Sequence, residues 1–136
     1  MRIPVIVGNT VGYEVTLDIM ECGPAAVLIG VGPGAACTSR GVLGLGVPQV
    51  TATVDCAAAR DAYFKKTSRY VPIITDGGMS KGGDGCKALA CGSDAVMAGS
   101  AFAKAHEAPG NGCQWGVAHH HANLPRAPRD TIGATG

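Results

Sequence analysis

The chain has 136 residues, enough for one domain with a sizeable hydrophobic core. Its content of 46% hydrophobic and 15% charged residues is typical of a globular protein and excludes an intrinsically disordered one. A formal net charge of +1 and the lack of a long apolar run give no reason to expect nucleic acid or a membrane as a partner.

The first half of the chain alternates apolar runs with a helical pattern. Residues 3–7 and 25–29 are almost wholly apolar, which predicts two buried strands. The tripeptide Gly8-Asn9-Thr10 is predicted to end the first strand. Residues 13–22 carry apolar side chains at helical spacing, and Gly23-Pro24 predicts the end of that helix.

The second half continues the same alternation. Residues 51–66 form the longest helical pattern, followed by a strand over 71–75, a short helix over 86–91, a strand over 95–98 and a helix over 101–106. The predicted buried face of the longest helix is small and apolar, and consists of Val54, Ala57, Ala58, Ala62 and Phe64.

An internal repeat relates the two halves. Residues 3–9 resemble 71–77, and residues 22–30 resemble 91–99, at offsets of 68 and 69 residues. Each unit is a strand, a loop, a helix, Cys-Gly, a second strand and a glycine loop. Four nearly all-apolar strands that alternate with helices predict a parallel sheet covered by helices.

A closed eight-stranded (β/α) barrel takes about 250 residues. The chain therefore predicts an α/β fold that is half of a TIM barrel, over residues 1–107, with an irregular flap or tail over 108–136. Such a unit is either a fragment or a half that needs the missing N-terminal half-barrel or a second copy, so a homo-oligomer is expected. In the tail, His119-His120-His121 favours a solvated surface run over a metal site, since no cysteine or carboxylate lies at ligand spacing.

The glycine-rich stretch that follows the second strand contains the main chemical candidate. Six glycines between residues 30 and 46 predict an open loop, with Cys37 in its middle, followed by Thr38, Ser39 and Arg40. Polar and cationic neighbours stabilise a thiolate, which is the nucleophilic form. A buried, inert cysteine on an ordinary glycine loop is the alternative at this point.

Two further glycine loops follow the third and fourth strands. In parallel sheets ligands bind at the carboxyl ends of the strands. The amides of Gly78 and Gly99 and the hydroxyl of Ser100 are candidates for a phosphate site there. Asp76 lies directly at a strand end and is a candidate for binding sugar hydroxyls, the alternative being a turn-forming aspartate.

Cysteine usage indicates the compartment. The six cysteines form no C-x-x-C pair and no zinc-ligand spacing. Those in predicted helices are expected to be reduced and buried; they are Cys22, Cys56, Cys86 and Cys91. The start of the chain is too short for a signal peptide. We therefore expect a reducing, cytoplasmic location.

Four segments together resemble the IMP dehydrogenase / GMP reductase family. They are G-V-G-P-G-A-A-C-T-S-R-G-V-L-G-L-G-V-P-Q (30–49), D-G-G-M-S-K-G-G-D (76–84), G-S-D-A-V-M-A-G-S (92–100) and E-A-P-G (107–110). The chain is similar to the C-terminal half of that family's barrel, and its tail looks closest to the branch labelled IMP dehydrogenase-related.

The resemblance implies an oxidoreductase that acts on a purine mononucleotide (IMP, XMP or GMP) with NAD or NADP. Cys37 would attack purine C2 and form a covalent intermediate. The resemblance also implies that the carbonyls of Gly32, Gly34 and Cys37 bind potassium. Ser39 would lie near the purine, Asp76 would hold the ribose, and Asn9 would lie at the mouth of the active site on the cofactor side. The implied phosphate ligands are Gly78, Gly99 and Ser100.

The chain also departs from the family pattern. Ala35 stands where a serine that contacts phosphate is usual. Neither the Arg-Tyr pair of the dehydrogenase flap nor the Thr-Glu pair of the reductases is visible in the sequence. Three possibilities therefore stay open: oxidation of IMP to XMP, reduction of GMP, and a catalytically inactive nucleotide-binding fragment or subunit.

Overall fold

The computed structural model describes residues 3–109, 113–114 and 130–131. The elements follow one another in the order strand, helix, strand that the alternation of apolar and helical patterns predicts. They are β1 (Ile6–Thr10), α1 (Tyr13–Glu21), β2 (Ala26–Ile29), α2 (Ser39–Leu43), α3 (Gln49–Thr67), β3 (Ile73–Asp76), α4 (Gly82–Ala90), β4 (Ala95–Met97), α5 (Ser100–Ala103), β5 (Cys113–Gln114) and β6 (Asp130–Thr131).

The first four strands form one parallel sheet in the order β1-β2-β3-β4. The parallel α/β architecture is confirmed, and the open sheet with alternating helices is part of a TIM barrel. Within the described residues, β1 and β4 each pair with a neighbour on one side only, so both edges are open. In the tail, β5 and β6 pair antiparallel; His119, His120 and His121 lie outside the described residues.

The hydrophobic core lies between the sheet and helices α1 and α3. Its largest fully buried apolar side chains are Met20, Val27, Ile29, Cys56, Val71 and Ile73. Alternate residues of β2 and β3 point into this core, because successive side chains of a strand lie on opposite faces. No helix in the described part of the chain is both long and apolar enough to cross a membrane.

The buried face predicted for α3 is wrong at Val54, Ala58 and Phe64, whereas Ala57 is buried and Ala62 is half-buried. Val54 and Phe64 are 48% and 45% exposed. The face that packs on the core instead consists of Ala52, Thr53, Cys56, Ala57, Ala59, Arg60 and Tyr63. An alanine-rich helix has apolar residues on more than one face, so the periodicity alone did not separate them.

Element boundaries also differ from the prediction, most clearly in three places. Strand β1 continues through Gly8-Asn9-Thr10 rather than ending there, and Thr10 pairs with Ile29 after a local register shift. Part of the glycine-rich stretch after β2, predicted as loop, forms the short helix α2. Helix α4 begins at Gly82 rather than at residue 86.

The early start of α4 is explained by Asp84. Its carboxylate accepts hydrogen bonds from the Ser80 hydroxyl and from the backbone N–H groups of Ser80 and Lys81. The Ser80 hydroxyl and Lys87 hold the pKa of Asp84 well below its usual range. A carboxylate that caps the first turn offsets the weak helix propensity of the glycines around it.

The cysteines are less buried than expected. Cys56 is fully buried, and burial raises the pKa of its thiol. Cys22 and Cys86 are exposed, and Cys91 is half-buried. The expectation of burial is therefore wrong for Cys22 and Cys86, while all of the cysteines within residues 3–109 are free.

An ionic network around the buried Arg60 joins the amino-terminal ends of β3 and β4. The Arg60 guanidinium donates to Asp94 at 2.9 Å and to the Gly92 carbonyl at 2.6 Å. The Asp94 carboxylate also accepts from the backbone N–H of Ile73 at 2.9 Å and from the Tyr70 hydroxyl. This end of a barrel serves stability rather than catalysis.

Candidate active site

The carboxyl ends of the four parallel strands meet at one edge of the sheet, and polar groups converge there. Asn9 near the end of β1 donates from Nδ2 to Oδ2 of Asp76 at 2.8 Å, although 67 residues separate them in sequence. Asp76 is the last residue of β3. The structure thus brings together two residues that the sequence assigned separately to cofactor and ribose.

The loop of residues 30–48, called the cysteine loop from here on, is attached to the sheet by Gln49. The Nε2 atom of Gln49 donates to the carbonyls of Ile29 (2.8 Å) and Asp76 (3.0 Å). Gly30 has φ +127°, and a Cβ there would lie 2.7 Å from the Asp76 carbonyl, so only glycine fits beside this amide. Gln49 therefore joins the ends of β2 and β3 to the start of α3.

The other amide atom of Gln49 has a different environment. Its Oε1 is buried without a hydrogen-bond partner among the described residues. Such an acceptor costs free energy unless a donor reaches it. Gln49 was not among the site residues expected from the sequence; the only signal was a polar residue at a helix start, directly after Pro48.

Arg40 closes the cysteine loop upon itself. Its Nε donates to the Val31 carbonyl at 3.1 Å and its Nη2 donates to the Val47 carbonyl at 2.7 Å. These two carbonyls lie near the two ends of the loop. The sequence indicated only a cation near Cys37, whereas the structure gives Arg40 a second role in holding the loop ends together.

The loop that follows β3 packs directly against the cysteine loop. Gly77 and Gly78 have φ values of +83° and +78°. A Cβ on Gly77 would lie 3.1 Å from both the Gly34 nitrogen and Pro33, and one on Gly78 would lie 3.4 Å from Pro33. Glycine at both positions lets the two loops approach this closely.

Cys37 is exposed on the cysteine loop, with its Sγ 3.3 Å from Oγ of Ser39. Hydrogen bonds from the side chain and backbone of Ser39 lower the pKa of the Cys37 thiol, and the positive charge of Arg40 acts in the same direction. Slight burial opposes them. Among the described cysteines, Cys37 thus combines exposure with a stabilised thiolate, which makes it the chemical candidate for a nucleophile.

The first prediction concerns the pH dependence of this thiol. A haloacetamide should alkylate Cys37 with a midpoint below that of an ordinary thiol, because the folded protein stabilises the thiolate. Ser39→Ala removes the main stabilising hydrogen bond and should move the midpoint to higher pH. Thr38→Ala is the matched control and should leave it in place. Mass spectrometry of the labelled peptide checks this, and equal midpoints for all three proteins would contradict it.

The residues assigned to phosphate share the same end of the sheet. The N–H of Gly77 donates to the carbonyl of Met97 at 3.2 Å, which draws the loop after β3 toward the end of β4. Gly99 directly precedes α5, whose first residue is Ser100. The convergence of Gly78, Gly99 and Ser100 on one anion stays a prediction.

A cavity of about 110 Å³ lies beside the loop that follows β3. Its lining includes Gln49, Thr75, Gly77, Gly78 and Asp84. Pockets for small-molecule ligands enclose about 300–1,000 Å³. The cavity is too small for a nucleotide, so a nucleotide at this edge needs walls beyond those that line the cavity.

The open parallel α/β sheet, with an exposed cysteine of lowered pKa on a loop at the carboxyl ends of its strands, defines part of a (β/α) barrel protein. The model of the IMP dehydrogenase / GMP reductase domain matches residues 1–119. The chain belongs to this family.

Individual relatives agree with this assignment. The chain is 43% identical over 128 residues to an uncharacterized oxidoreductase of Mycolicibacterium smegmatis, covering 93% of the chain and 34% of the relative. It is 44% identical over 109 residues to inosine-5'-monophosphate dehydrogenase of Haemophilus influenzae, covering 80% of the chain and 21% of the relative. It is 47% identical over 106 residues to the inosine-5'-monophosphate dehydrogenase of Halalkalibacterium halodurans, covering 78% of the chain and 21% of the relative. The chain thus spans about a third or less of these relatives.

Proposed function

We propose that the chain forms the nucleophilic half of an oxidoreductase site that acts on a purine mononucleotide, in the direction IMP to XMP. The observation that carries the proposal is the exposed Cys37, whose pKa is lowered, on a loop that Gln49 attaches beside Asp76. The names of the matched relatives, an oxidoreductase and two inosine-5'-monophosphate dehydrogenases, support the same chemistry.

In this mechanism the Cys37 thiolate adds to C2 of the purine. The hydride on C2 then leaves, while the C2–sulfur bond remains. A nicotinamide cofactor, NAD or NADP, supplies the hydride acceptor when bound. Water next attacks C2 and breaks the C2–sulfur bond, which gives XMP, the thiolate and one proton to solvent. Ser39 stabilises the thiolate before the attack and again when it is released.

Asp76 and Asn9 form the sugar side of the proposed site. The hydrogen bond from Asn9 orients the Asp76 carboxylate, whose oxygens can accept bonds from ribose hydroxyls. We assign the remaining polar groups of the Asn9 amide to contacts with the cofactor at the mouth of the proposed site. Gly78, Gly99 and Ser100 are the proposed phosphate ligands at the ends of β3 and β4.

We also propose a potassium site on the cysteine loop. The donor set is the backbone carbonyls of Gly32, Gly34 and Cys37, and neutral oxygen ligands of this kind suit a monovalent cation. A turn between two of these residues supports the proposal, since the N–H of Cys37 donates to the Gly34 carbonyl at 3.0 Å. Bound there, the ion would order the backbone on either side of the nucleophile.

The test is an assay in two directions. Incubation with IMP and NAD should produce NADH. Incubation with GMP and NADPH should consume NADPH only if the chain is a reductase. The chain is assayed alone and as a chimera in which it replaces the matched segment of the Haemophilus influenzae enzyme. Nucleotide binding without turnover in either direction, in both proteins, would support the inactive nucleotide-binding alternative and contradict the proposal.

A second prediction concerns the phosphate contacts. Ser100→Ala removes one hydroxyl and should weaken IMP binding by about 1 kcal/mol, or about fivefold, the usual value for one hydrogen bond. Thr67→Ala is the matched control. Thr67 is the last residue of α3, at the end away from Gln49, and its replacement should leave the affinity for IMP unchanged. Titration calorimetry measures both. An unchanged affinity in the Ser100 variant would remove this residue from the proposed phosphate site.

A further inference from the structure

The side-chain amide of Gln49 connects β2 and β3 at the point where their regular pairing ends. The last residue pair between these two strands is Ile29↔Thr75. Beyond it, Nε2 of Gln49 donates to the carbonyls of Ile29 and Asp76, at 2.8 and 3.0 Å. One amide group thus fixes the spacing between the carboxyl ends of the two central strands.

On the β2 side, the peptide group that accepts from Gln49 also bonds to β1. The N–H of this group belongs to Gly30 and donates to the Thr10 carbonyl at 2.9 Å. Thr10 is the last residue of β1. The hydrogen bond from Gln49 to the Ile29 carbonyl therefore also supports the contact between the ends of β1 and β2, because bonds at the two ends of one peptide group strengthen each other.

The β3 side has the same arrangement. The peptide group whose carbonyl belongs to Asp76 has the N–H of Gly77, which donates to the Met97 carbonyl at 3.2 Å. Met97 is the last residue of β4. A continuous line of hydrogen bonds therefore crosses the carboxyl ends of all four strands, and Gln49 lies at its centre.

Gln49 is itself held firmly at the start of α3. Oγ1 of Thr53 donates to the Gln49 carbonyl at 2.7 Å. The same Oγ1 atom lies 3.0 Å from Oγ1 of Thr75, and both hydroxyls are buried. The first turn of α3 is therefore attached to β3 at the residue next to Asp76, and the Gln49 amide acts from a fixed base.

Stability alone does not explain a glutamine at this position. Its Oε1 is buried without a hydrogen-bond partner among the described residues. An unpaired buried acceptor is unfavourable, and an apolar side chain of similar length would not have this cost. Proteins retain such unfavourable local features mainly at functional sites.

We propose that Gln49 is a positioning residue that aligns Cys37 with a ribose bound at Asp76, without contacting the substrate itself. The cysteine loop begins directly after Ile29, so the spacing that Gln49 sets between the two strand ends is also the spacing between nucleophile and ribose ligand. The catalytic part of this inference rests on the proposed function. Its structural part rests on the contacts of Gln49 alone.

The structural part is tested by residue-resolved hydrogen exchange on the whole chain. Gln49→Met has no side-chain donor, and Gln49→Glu keeps the shape but has no donor at neutral pH. In both variants the N–H groups of Gly30 and Gly77 should exchange about fivefold faster or more, the factor that one hydrogen bond is worth. The N–H of Val27, which donates to the Pro72 carbonyl within the sheet, should keep its rate.

Two exchange results would overturn the proposal. Unchanged rates at Gly30 and Gly77 would show that the Gln49 amide does not hold the strand ends. Equal acceleration at Val27 would show a general loss of stability in place of a local loss of alignment. Neither result depends on nucleotide chemistry.

The catalytic part is tested in the chimera with the Haemophilus influenzae enzyme. Both Gln49 variants should lower kcat about a hundredfold, the effect of a misplacement of about 1 Å at a reacting centre. The affinity for IMP should fall by less than about fivefold, because the variants remove no proposed ligand. The pH midpoint of Cys37 alkylation should stay in place, since Ser39 and Arg40, which lower its pKa, lie on the cysteine loop itself.

The outcomes separate this inference from the proposed function. A chimera that loses turnover with Cys37→Ala but keeps its kcat within about twofold in the Gln49 variants would overturn the inference and leave the proposed function intact. A chimera without turnover before any substitution would contradict the proposed function, and the exchange rates would then decide whether Gln49 aligns the two loops.

Val50→Met is the matched control. Val50 is the next residue of α3, is 49% exposed, and has no polar side-chain atom. Introducing methionine there should leave the exchange rates and kcat unchanged. A loss as large as that of Gln49→Met would trace the effect to any substitution at the start of α3 and would overturn the proposal.

Discussion

Replacing Cys37 with alanine is expected to abolish turnover, with a loss of about 10⁴-fold or more, the scale seen when a catalytic nucleophile is removed. Without the thiolate there is no C2–sulfur bond, and hydride loss from C2 then lacks its covalent route. Nucleotide affinity should fall by less than the roughly fivefold that losing one hydrogen bond of about 1 kcal/mol would cause, because the proposed sugar and phosphate ligands lie on other loops. Steady-state kinetics and calorimetry on the same preparation measure the two effects.

The matched control for this change is Cys86→Ala. Cys86 is also an exposed, free cysteine, but it lies on α4 and has no part in the proposed mechanism. Its removal should leave turnover unchanged. A haloacetamide should label Cys37 before Cys86, and the fully buried Cys56 should react last. A Cys37→Ala protein that turns over at a comparable rate would show that the family relation gives this chain its fold without its covalent chemistry.

Asp94→Ala is expected to lower the free energy of unfolding by about 2–3 kcal/mol, the largest effect on stability that we predict. The substitution takes a carboxylate partner from the buried Arg60 guanidinium, whose side chain is 9% exposed. It also removes the acceptor of the Ile73 N–H and of the Tyr70 hydroxyl. Urea unfolding followed by circular dichroism measures the change.

Asp61→Ala provides the comparison. Asp61 is the other carboxylate on Arg60, but its side chain is 57% exposed. Exposed ion pairs contribute about 0–1 kcal/mol, so this variant should lose much less stability than Asp94→Ala. Equal losses in the two variants would show that the lower exposure of the Asp94 side chain, 27% against 57%, is not what makes Asp94 important.

The pH dependence of the Asp94 contribution has a definite sign. Burial opposes ionisation of Asp94, but hydrogen bonds from Tyr70, Ile73 and Arg60 outweigh it, so its pKa in the folded protein is lowered. The resulting stability is present above the unfolded pKa of about 4 and is lost as the pH falls toward the lower folded value. The difference in the free energy of unfolding between wild type and Asp94→Ala should therefore shrink below about pH 4. A constant difference down to pH 2 would contradict this account.

The parallel α/β fold and the loop that carries the candidate nucleophile could both be predicted from the sequence. Both are local properties: an apolar run such as residues 71–75 predicts a buried strand, and a glycine cluster around Cys37 predicts an exposed loop. The internal repeat indicated that both halves of the chain have the same order of strands and helices, because similar sequences fold alike. The resemblance of four segments then placed the chain in its family.

The contacts that hold the site together could not be predicted from the sequence and became visible in the folded chain. Asn9 and Asp76 are 67 residues apart, and Gln49 reaches the Asp76 carbonyl across 27 residues. No period of 2 or 3.6 residues encodes such contacts, because they depend on how the strand ends align after folding. The buried face of α3 was undecided for the same reason: alanines occur on several of its faces, and only packing against the sheet and α1 selects one of them.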